Sequence, residues 1–491
     1  MAVSDVRSFI EVARNEIRSP ARLAGMGVYW AWLQIVFSSA SLAPTDLLPA
    51  PLAPQHQIWT ASLLTTILVF LVVLFCKPGR ALHGPRAVGA SSFCMAGGSL
   101  LLAFSSTASD PLPFAAAGAL GVGVGSALAF LCWGLHLARL VPRRVLFDMS
   151  AFAFLTALFF GIVTPLPPAA VQACAVLMPL ASGALLCVAN RHEAPTSHGQ
   201  TSSASEPAER SLSHARRGSG LLGLAVLVGL VYGIMRGITL AFGTSTVEAA
   251  TVATVIGVAA SGVLLLVTTV FYRRESELYL VCEISFPLLV AGFLLLPQYA
   301  GPLPLPIIVF TVGHGYFYFL LWVFCVDQSQ AQGRDPLRVF SAGLLAFLGS
   351  SLAGSLASDA LALSGFESSG VVGIVSLVIV YAFVLAFAVL FGRTRSERMR
   401  DAQEADERRH AEFERCAKLV AHDGGLTARE AEIFLLLARD ESRAAIRERL
   451  CISNDTVKTH TRRLYAKLDI HAKQEARALV TARMERERRG M

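Results

Sequence analysis

The sequence predicts an all-α protein: a bundle of twelve membrane-spanning helices followed by a four-helix domain at the carboxyl end. Three observations predict this fold class. Of the 491 residues, 54% are hydrophobic and only 16% are charged, which is more apolar than a soluble protein of ordinary composition. The apolar residues form runs of about 20 or more, each long enough to cross a bilayer. The last part of the chain, in contrast, is rich in charge and has the periodicity of amphipathic helices.

Residues 1–23 precede the first apolar run. Within them, Ser4–Ile17 predicts an amphipathic helix, because Val6, Phe9 and Ala13 lie on one helical face. We expect this helix to lie at the membrane surface. A chain end without regular structure fits the same residues, so both interpretations stay open.

The predicted spans form two groups of six, within residues 24–190 and 220–392. In order they cover residues 24–44, 57–76, 87–106, 112–138, 146–166, 168–189, 220–243, 248–271, 278–297, 304–326, 338–362 and 370–392. The groups are separated by residues 191–219, whose Ser, Thr, Ala and Pro content is typical of a linker.

The loops between the spans alternate in charge. Those at 45–56, 107–111, 167, 244–247, 298–303 and 363–369 contain no Lys or Arg, whereas the alternate loops carry them. The positive-inside rule therefore places the basic loops, both termini and the C-terminal domain in the cytoplasm. We predict a multi-pass protein of the cell (cytoplasmic) membrane, with the lipid bilayer as one partner.

Two groups of six spans around a long cytoplasmic connection resemble the major facilitator superfamily, whose halves are structural repeats. The loop from Lys77 to Arg86 contributes weakly to the resemblance, through its Gly and Arg residues. The resemblance implies a binding site between the halves. It also makes a working transporter with an accessory regulatory tail the alternative function.

Ionisable residues inside spans are costly to bury, so each is a candidate for function. Arg236 lies deep in the seventh span, where its guanidinium can hold a carboxylate of a small organic ligand. Glu283 and Asp359 are candidate partners, and His314 is followed by aromatic residues suited to a small organic molecule. Asp148, near a span end, is expected to meet water. A structural ion pair of Arg236 across the halves fits these residues as well.

No pattern in the sequence is typical of a cofactor site or an enzyme. The nine cysteines are scattered, without a CxxC pair or a Cys/His spacing that binds zinc. Kinase, ATP-binding and receiver patterns are missing, as is a nucleophile–base set. We therefore predict no cofactor, no metal and no enzymatic activity. The glycines Gly118, Gly121 and Gly125 in the fourth span predict close helix packing.

Residues 393–423 connect the last span to the terminal domain. Glu404 stands four residues before Arg408, a spacing that supports a helix. Phe413, Cys416 and Val420 add a short apolar stripe. We interpret the segment as an extension of the last span that pairs with a second copy and ends in a Gly-Gly hinge. A monomeric, solvated stalk is the other interpretation.

Residues 424–491 predict four short helices. Thr427 and Glu430 stand at the N-cap and N3 positions of a capping box. Ser442 and Ser453 are good N-caps for the second and third helices. The third helix has an apolar stripe that includes Val457, with basic and hydroxyl side chains off that stripe. Residues 443–477 carry nine Lys and Arg against four Asp and Glu, as expected of a phosphate binder.

This segment resembles the LuxR-type (FixJ/NarL-like) helix-turn-helix domain of transcriptional regulators. The matching residues are Leu426, Thr427, Arg429, Glu430, Leu436, Leu437, Ala438, Ser442, Ile446, Leu450, Ile452, Ser453, Thr456, Val457, Lys458, His460, Lys467, Leu468, Glu475 and Ala476. The chain departs from the family pattern at Asp440, which replaces a glycine, and at Lys473, which replaces an arginine.

The resemblance implies that the third helix enters the major groove of double-stranded DNA. Its base-reading residues are then Lys458, Thr459 and Arg462, which share one face. The resemblance further implies that the fourth helix, 472–484, pairs two copies into a homodimer on DNA. The residues implied to contact phosphate are Arg463, Lys467, Lys473 and Ser453.

Together these patterns predict a one-component membrane regulator. A twelve-span domain senses an unidentified small molecule, and a cytoplasmic helix-turn-helix domain binds DNA to control transcription.

Overall fold

The regular structure of the protein is α-helical throughout the residues described, apart from one short 3-10 turn, Ala40–Leu42. The computed structural model describes residues 19–44, 47, 53–76, 82, 84–192, 208–241, 247–271, 277–297, 304–331, 333–364 and 369–488. The chain divides into two units, Met1–Phe391 and Gly392–Met491. The predicted amphipathic helix at Ser4–Ile17 and linker residues 193–207 lie outside the described residues.

Twelve of the described helices begin in the first unit, and each overlaps one predicted span. This agrees with the predicted fold class. They are α1 (Pro20–Ser38), α2 (Pro54–Cys76), α3 (Pro85–Ser105), α4 (Leu112–Leu137), α5 (Pro142–Val163), α6 (Pro168–His192), α7 (Ala208–Ala241), α8 (Val247–Phe271), α9 (Glu277–Leu295), α10 (Leu305–Ala331), α11 (Pro336–Leu363) and α12 (Ser369–Asp423). Helix α7 begins inside the predicted linker, and α12 continues into the second unit.

Among the described residues, nine of these helices are long and apolar enough to cross a bilayer. The remaining three are α1, α9 and α12. Helix α1 is 19 residues long and carries the buried Arg22. The apolar stretches of α9 and α12 are shorter and cover Glu283–Leu295 and Val372–Ala386.

Glycines bring the backbones of α3 and α4 into direct contact. A Cβ added to Gly121 would lie 3.0 Å from the Cα of Gly98, and one added to Gly98 would lie 2.6 Å from the backbone nitrogen of Val122. Gly118 and Gly125 face α3 at similar separations. The close packing predicted for the glycines of the fourth span is therefore confirmed, and side chains at these positions would force the helices apart.

A second glycine seam joins α7 to α11 in the other half of the bundle. Gly233 lies against the backbone of Ser351, and Gly237 lies against the Ser358 side chain. A Cβ at either position would overlap α11. The seam fixes how α7 is oriented, and Arg236 stands between its two glycines in the sequence.

Asp148 is fully buried, so the expectation that it meets water is wrong. Its Oδ2 lies 3.0 Å from Nε of Arg22, and both side chains have no solvent exposure. Helix α1 packs against α5 and brings the two charges together. A carboxylate can be buried in this way because an opposite charge offsets its desolvation.

The second unit contains the end of α12 and four shorter helices, α13 (Ala428–Ala438), α14 (Arg443–Leu450), α15 (Asn454–Leu468) and α16 (Lys473–Arg488). The stripe that includes Cys416 and Phe413 packs into the core of this unit and does not form a free surface. The buried residues of the core are Cys416, Ala417, Ala421, Ile433, Phe434, Leu436, Leu437, Ala438, Ile446, Val457, Leu464, Ile470, Ala476 and Val480.

The Gly424-Gly425 pair closes the end of α12. The amide of Leu426 donates to the carbonyl of Ala421 at 2.9 Å, and the amide of Gly425 donates to the carbonyl of His422 at 3.0 Å. Gly425 has a φ of +62°, so the two bonds form a Schellman cap with glycine in the left-handed position. The predicted hinge is a hydrogen-bonded helix end.

We expect Gly425→Ala to lower the free energy of unfolding of the second unit by about 1 kcal/mol, because a left-handed φ is costly for a residue with a Cβ. Nothing lies within 4 Å of the added Cβ, so the effect is conformational and not steric. Pulse proteolysis of the full chain in a urea series measures the change. Cys451→Gly, at a φ of +51°, should act in the opposite direction. Equal stability of all three proteins would contradict the prediction.

Candidate DNA-binding surface and central cavity

The helices of the second unit begin at the predicted caps. Thr427 and Glu430 form a complete capping box at the start of α13. The hydroxyl of Ser442 accepts from the amide of Ala445 at 3.2 Å, and that of Ser453 accepts from the amide of Thr456 at 3.1 Å. These contacts satisfy amides that a helix start leaves without partners. They set where α14 and α15 begin.

Asp440 keeps the tight turn that the family makes with glycine. It has a φ of +68°, its amide donates to Leu437 at 2.9 Å, and the amide of Glu441 donates to Leu436 at 3.0 Å. Asp is one of the few residues that tolerates this conformation. The carboxylate of Asp440 also pairs with Lys473 at 2.7 Å, and that ammonium lowers the pKa of the carboxyl.

Helix α15 has one buried and one exposed face, as predicted. Val457 and Leu464 are completely buried. Lys458, Thr459 and Arg462 are exposed on the other side, with Arg463 beside them. The Thr459 hydroxyl donates to the carbonyl of Asp455 at 2.8 Å, which leaves its methyl group and the oxygen lone pairs for an incoming partner.

The basic residues predicted to contact DNA fall into two sets. Lys467 lies 2.6 Å from a Glu430 oxygen, and Lys473 is paired with Asp440. Lys458, Arg462 and Arg463 have no carboxylate partner within the described part of the chain. Their charges are free to meet phosphates or bases, whereas the other two charges are partly neutralised. All five assignments remain predictions, as does Ser453, whose hydroxyl is already used as a cap.

Glu430 is the centre of a hydrogen-bonded cluster at one end of this domain, and its side chain is only 3% exposed. One carboxylate oxygen, Oε2, accepts from Lys467 at 2.6 Å and from the Thr427 amide at 2.9 Å. Hydrogen bonding to Lys467, and then to the Thr427 amide, lowers the pKa of Glu430 from 4.5 to about 2. Lys467 also donates to the carbonyl of Gly425 at 3.0 Å, so this cluster ties α15 to the turn after α12.

A cavity of about 260 Å³ lies in the first unit, between the first six helices and the last six. Its walls combine aromatic and aliphatic side chains with the polar side chains of Ser, Thr and Gln residues, and Arg236 and His314 also line it. The lining residues are Trp30, Leu33, Gln34, Phe37, Ser38, Gln55, Trp59, Ser62, Leu63, Thr66, Ser126, Phe130, Thr156, Tyr232, Met235, Arg236, Thr239, Ala250, Thr251, Thr254, Val258, Ile307, Phe310, Thr311, His314, Gly315, Tyr318, Phe319, Phe347 and Leu348.

Arg236 reaches this cavity from α7 and crosses to the other half. Its Nη2 donates to the carbonyl of Phe37 at 2.7 Å, and its Cζ lies 4.9 Å from the ring centroid of Trp59. Its Nε is buried without a hydrogen-bond partner among the described residues. No carboxylate of the described residues pairs with it, so the guanidinium is held by a carbonyl dipole and an aromatic face.

His314 also lines the cavity, as part of an aromatic stack. Its ring lies 4.1 Å from that of Tyr232 at an angle of 13°, and 6.0 Å from that of Tyr318. The Nε2 atom of His314 is buried and has no hydrogen-bond partner among the described residues. Arg236 and His314 therefore line the same cavity, and each has a buried nitrogen without a hydrogen-bond partner among the described residues.

The two carboxylates proposed as partners of Arg236 lie elsewhere. Glu283 is exposed on α9 and does not line the cavity, since the inner face of that helix is taken by Phe286 and Phe293. Asp359 is buried near the end of α11, where its Oδ1 lies 2.8 Å from Nε2 of His56. Asp359 thus pairs across the two halves with a histidine that the sequence did not single out.

Sequence reasoning missed three residues of this region: His56, Trp59 and Tyr232. His56 and Trp59 stand three residues apart at the start of α2, and their rings lie 5.8 Å apart. A histidine and a tryptophan on one face of a predicted span indicate a candidate functional site, and this pattern can be seen in the sequence. Tyr232, one turn before Arg236, was detectable in the same way.

The sequence of the second unit matches a known family. Residues 425–480 match the family described as GerE, bacterial regulatory proteins, luxR family. The chain therefore carries a LuxR-type helix-turn-helix domain, a class of domain that binds DNA. No curated protein sequence matches the chain.

The fold of the first unit matches solved transporters. The xylose transporter XylE from E. coli, in a partially occluded inward-open conformation, aligns with a TM-score of 0.52 and 14% identity over 76% of this chain and 95% of that chain. The proton:xylose symporter XylE with bound 6-bromo-6-deoxy-D-glucose aligns with a TM-score of 0.50 and 12% identity over 76% and 94%. The first unit therefore has the major facilitator fold, and the protein is a multi-pass membrane protein with a LuxR-type domain.

We expect the second unit to lose stability as the pH falls from 4.5 toward 2. The pKa of Glu430 is lower in the folded than in the unfolded chain, so its ion pair stabilises the unit above pH 4.5 and is lost as the carboxylate is protonated. Pepsin pulse proteolysis across this pH range, with the fragments identified by mass spectrometry, measures the change. Glu430→Gln should flatten the dependence. An unchanged acid profile in that variant would show that other carboxylates set it.

Proposed function

We propose that the protein is a membrane-held transcription regulator in which the twelve-helix unit senses a small molecule and the LuxR-type domain controls transcription. The observation that carries the proposal is the presence in one chain of a LuxR-type domain and a major facilitator fold with a cavity between its halves. Regulation requires a ligand whose affinity differs between two states of the membrane unit. The proposed orientation, with both termini and the LuxR-type domain in the cytoplasm, is supported by the Lys and Arg residues in alternate loops.

The proposed DNA-reading residues are Lys458, Thr459 and Arg462 on α15. Their exposure and the lack of carboxylate partners for the two cations among the described residues support this role. Lys and Arg donate to guanine O6 and N7, and a Thr methyl contacts the methyl group of thymine. Arg463 is proposed as a contact to the DNA backbone.

Helix α16 is proposed to pair two copies on DNA. Its inner face is buried through Ala476 and Val480. Its outer face is exposed and includes Ala478, Thr481 and Ala482, which are small enough for two helices to approach closely. A two-fold dimer would place two copies of α15 in successive major grooves.

The proposed ligand is a small organic anion that binds in the cavity beside Arg236. A guanidinium with one nitrogen that lacks a hydrogen-bond partner among the described residues, in a largely apolar cavity that includes aromatic rings, is suited to a carboxylate attached to an apolar body. The volume of about 260 Å³ limits the ligand to a small molecule. His314 is proposed to provide a second polar contact.

Mapping of DNA cross-linked to the full-length protein in its native cells tests the DNA-binding part. We expect discrete sites that disappear in Lys458→Ala/Arg462→Ala, because removing base contacts costs about 1–3 kcal/mol each. The matched control is Lys418→Ala/Arg447→Ala, which removes two exposed cations outside α15 at equal protein level. Occupancy that is the same in both variants and the wild type would refute DNA reading by α15.

Thermal stability of the purified chain in detergent tests the cavity. Small aromatic and aliphatic carboxylates are compared with their neutral amides, and we expect stabilisation by a subset of the carboxylates only. Arg236→Met should remove that stabilisation while Glu283→Gln keeps it, since Glu283 does not line the cavity. Stabilisation that survives Arg236→Met would exclude the proposed site. Uptake into vesicles that depends on Arg236 and not on Lys458 would favour a transporter.

A further inference from the structure

The cavity between the halves extends to one end of the membrane unit, which we call the outer end. At this end the loops that join α1 to α2, α7 to α8 and α9 to α10 contain no Lys or Arg. Several residues that line the cavity stand close to these loops, and all of them are partly exposed. They are Gln34, Ser38, Gln55, Thr239, Ala250, Thr251 and Ile307.

Aromatic side chains close the opposite end of the cavity. The ring centroids of Trp30 on α1 and Phe319 on α10 lie 4.8 Å apart, and both residues line the cavity. The ring centroid of Phe130 on α4 lies 5.7 Å from that of Trp322 on α10. Trp322 is completely buried and does not line the cavity, so it stands behind the other three rings. Because α10 belongs to the second half and α1 and α4 to the first, these four residues form an aromatic floor that joins the halves.

The halves stay in contact from the aromatic floor to the inner ends of the helices. One turn further along α4, a Cβ added to Gly134 would lie 2.9 Å from Cγ of Phe340 on α11. Nearer the helix ends, Nε2 of Gln330 donates to the carbonyls of Ala138 and Leu140 at 2.9 and 2.7 Å. The loops that follow α4 and α10 at this inner end carry arginine, which the positive-inside rule assigns to the cytoplasm.

The contacts between the halves at the outer end are polar. Nε2 of His56 lies 2.8 Å from Oδ1 of Asp359, and Nη2 of Arg236 donates to the carbonyl of Phe37 at 2.7 Å. If the halves separate there, water can replace these hydrogen bonds. Separation at the inner end would instead expose the rings of the aromatic floor, whose burial is favourable. The outer end is therefore the one that opens at the lower free-energy cost.

We propose that the cavity takes its ligand from the extracytoplasmic side and does not release it into the cytoplasm. The membrane unit is then a receptor for a small organic anion outside the cytoplasm, and the aromatic floor is its closure toward the cytoplasm. The proposal rests on the proposed function, from which it takes the anionic ligand and the orientation. One-sided access distinguishes a receptor from a transporter, whose site must open to the two sides in turn.

Chemical modification from each side of the membrane tests the proposal in the full-length chain. Thr254→Cys places a thiol on the wall of the cavity. The probe is sulfonatoethyl methanethiosulfonate, a small anion that reacts with thiols and does not cross bilayers. It is added to spheroplasts and, separately, to inverted membrane vesicles, and the modified positions are identified by mass spectrometry. The exposed Cys451 of the LuxR-type domain reports the cytoplasmic side in the same samples.

We expect position 254 to be modified in spheroplasts and unmodified in inverted vesicles, with the opposite pattern for Cys451. Adding Trp322→Ala should allow modification of position 254 in inverted vesicles as well, because loss of the ring leaves a void in the aromatic floor. The matched control is Phe93→Ala, which removes a ring that is 71% exposed and lies outside that floor. Phe340→Ala replaces Trp322→Ala if that chain does not accumulate.

The outcomes separate this proposal from the one on which it rests. With the floor intact, modification of position 254 from both sides or from neither would overturn one-sided access. Modification only in inverted vesicles would mean a cytoplasmic ligand and would leave the proposed regulator in place. Modification of Cys451 in spheroplasts would refute the proposed orientation itself. A Trp322→Ala chain that behaves like Phe93→Ala would overturn the aromatic floor as the closure.

Discussion

Direct contact between helix backbones is the constraint on which the membrane unit depends. In a bilayer, apolar side chains gain little by leaving lipid for protein, so helices associate through close packing of small residues. The seam at Gly98 and Gly121 joins α3 to α4, and the seam at Gly233 and Gly237 joins α7 to α11. Each seam lies within one half of the bundle. The halves are therefore tightly packed inside, and the cavity lies between them.

Polar side chains also join the halves of the bundle among the described residues. His56 pairs with Asp359, and Gln330 donates to the carbonyls of Ala138 and Leu140 at 2.9 and 2.7 Å. These are short-range, directional contacts, which a small displacement of one half would break. Among the described residues, these polar contacts join two halves that each contain a closely packed glycine seam.

Buried ionisable groups of the membrane unit differ in whether they have a partner of opposite charge. Arg22 and Asp148 form an ion pair, and His56 is hydrogen-bonded to Asp359. Removing one member of a buried ion pair typically destabilises the folded state by about 3–5 kcal/mol, so the pair of Arg22 and Asp148 has a structural role. Arg236 differs, because among the described residues it has a carbonyl and an aromatic face instead of a carboxylate. A guanidinium that lines a cavity and has no carboxylate partner among the described residues is the main support for the proposed anionic ligand.

The sequence by itself determined the features that depend on local pattern. Apolar runs predicted the spans, and Thr427, Ser442 and Ser453 predicted where helices begin, since a cap acts within one turn. The LuxR-type domain was recognisable because its caps and buried stripe stand at short, regular spacings. Only the tertiary structure decided which distant residues meet: that Asp148 is buried against Arg22, that Glu283 lies outside the cavity, and that Phe413 and Cys416 pack within their own domain. Partner choice depends on how helices are rotated and packed, and the spacing of residues along one chain segment does not contain that information.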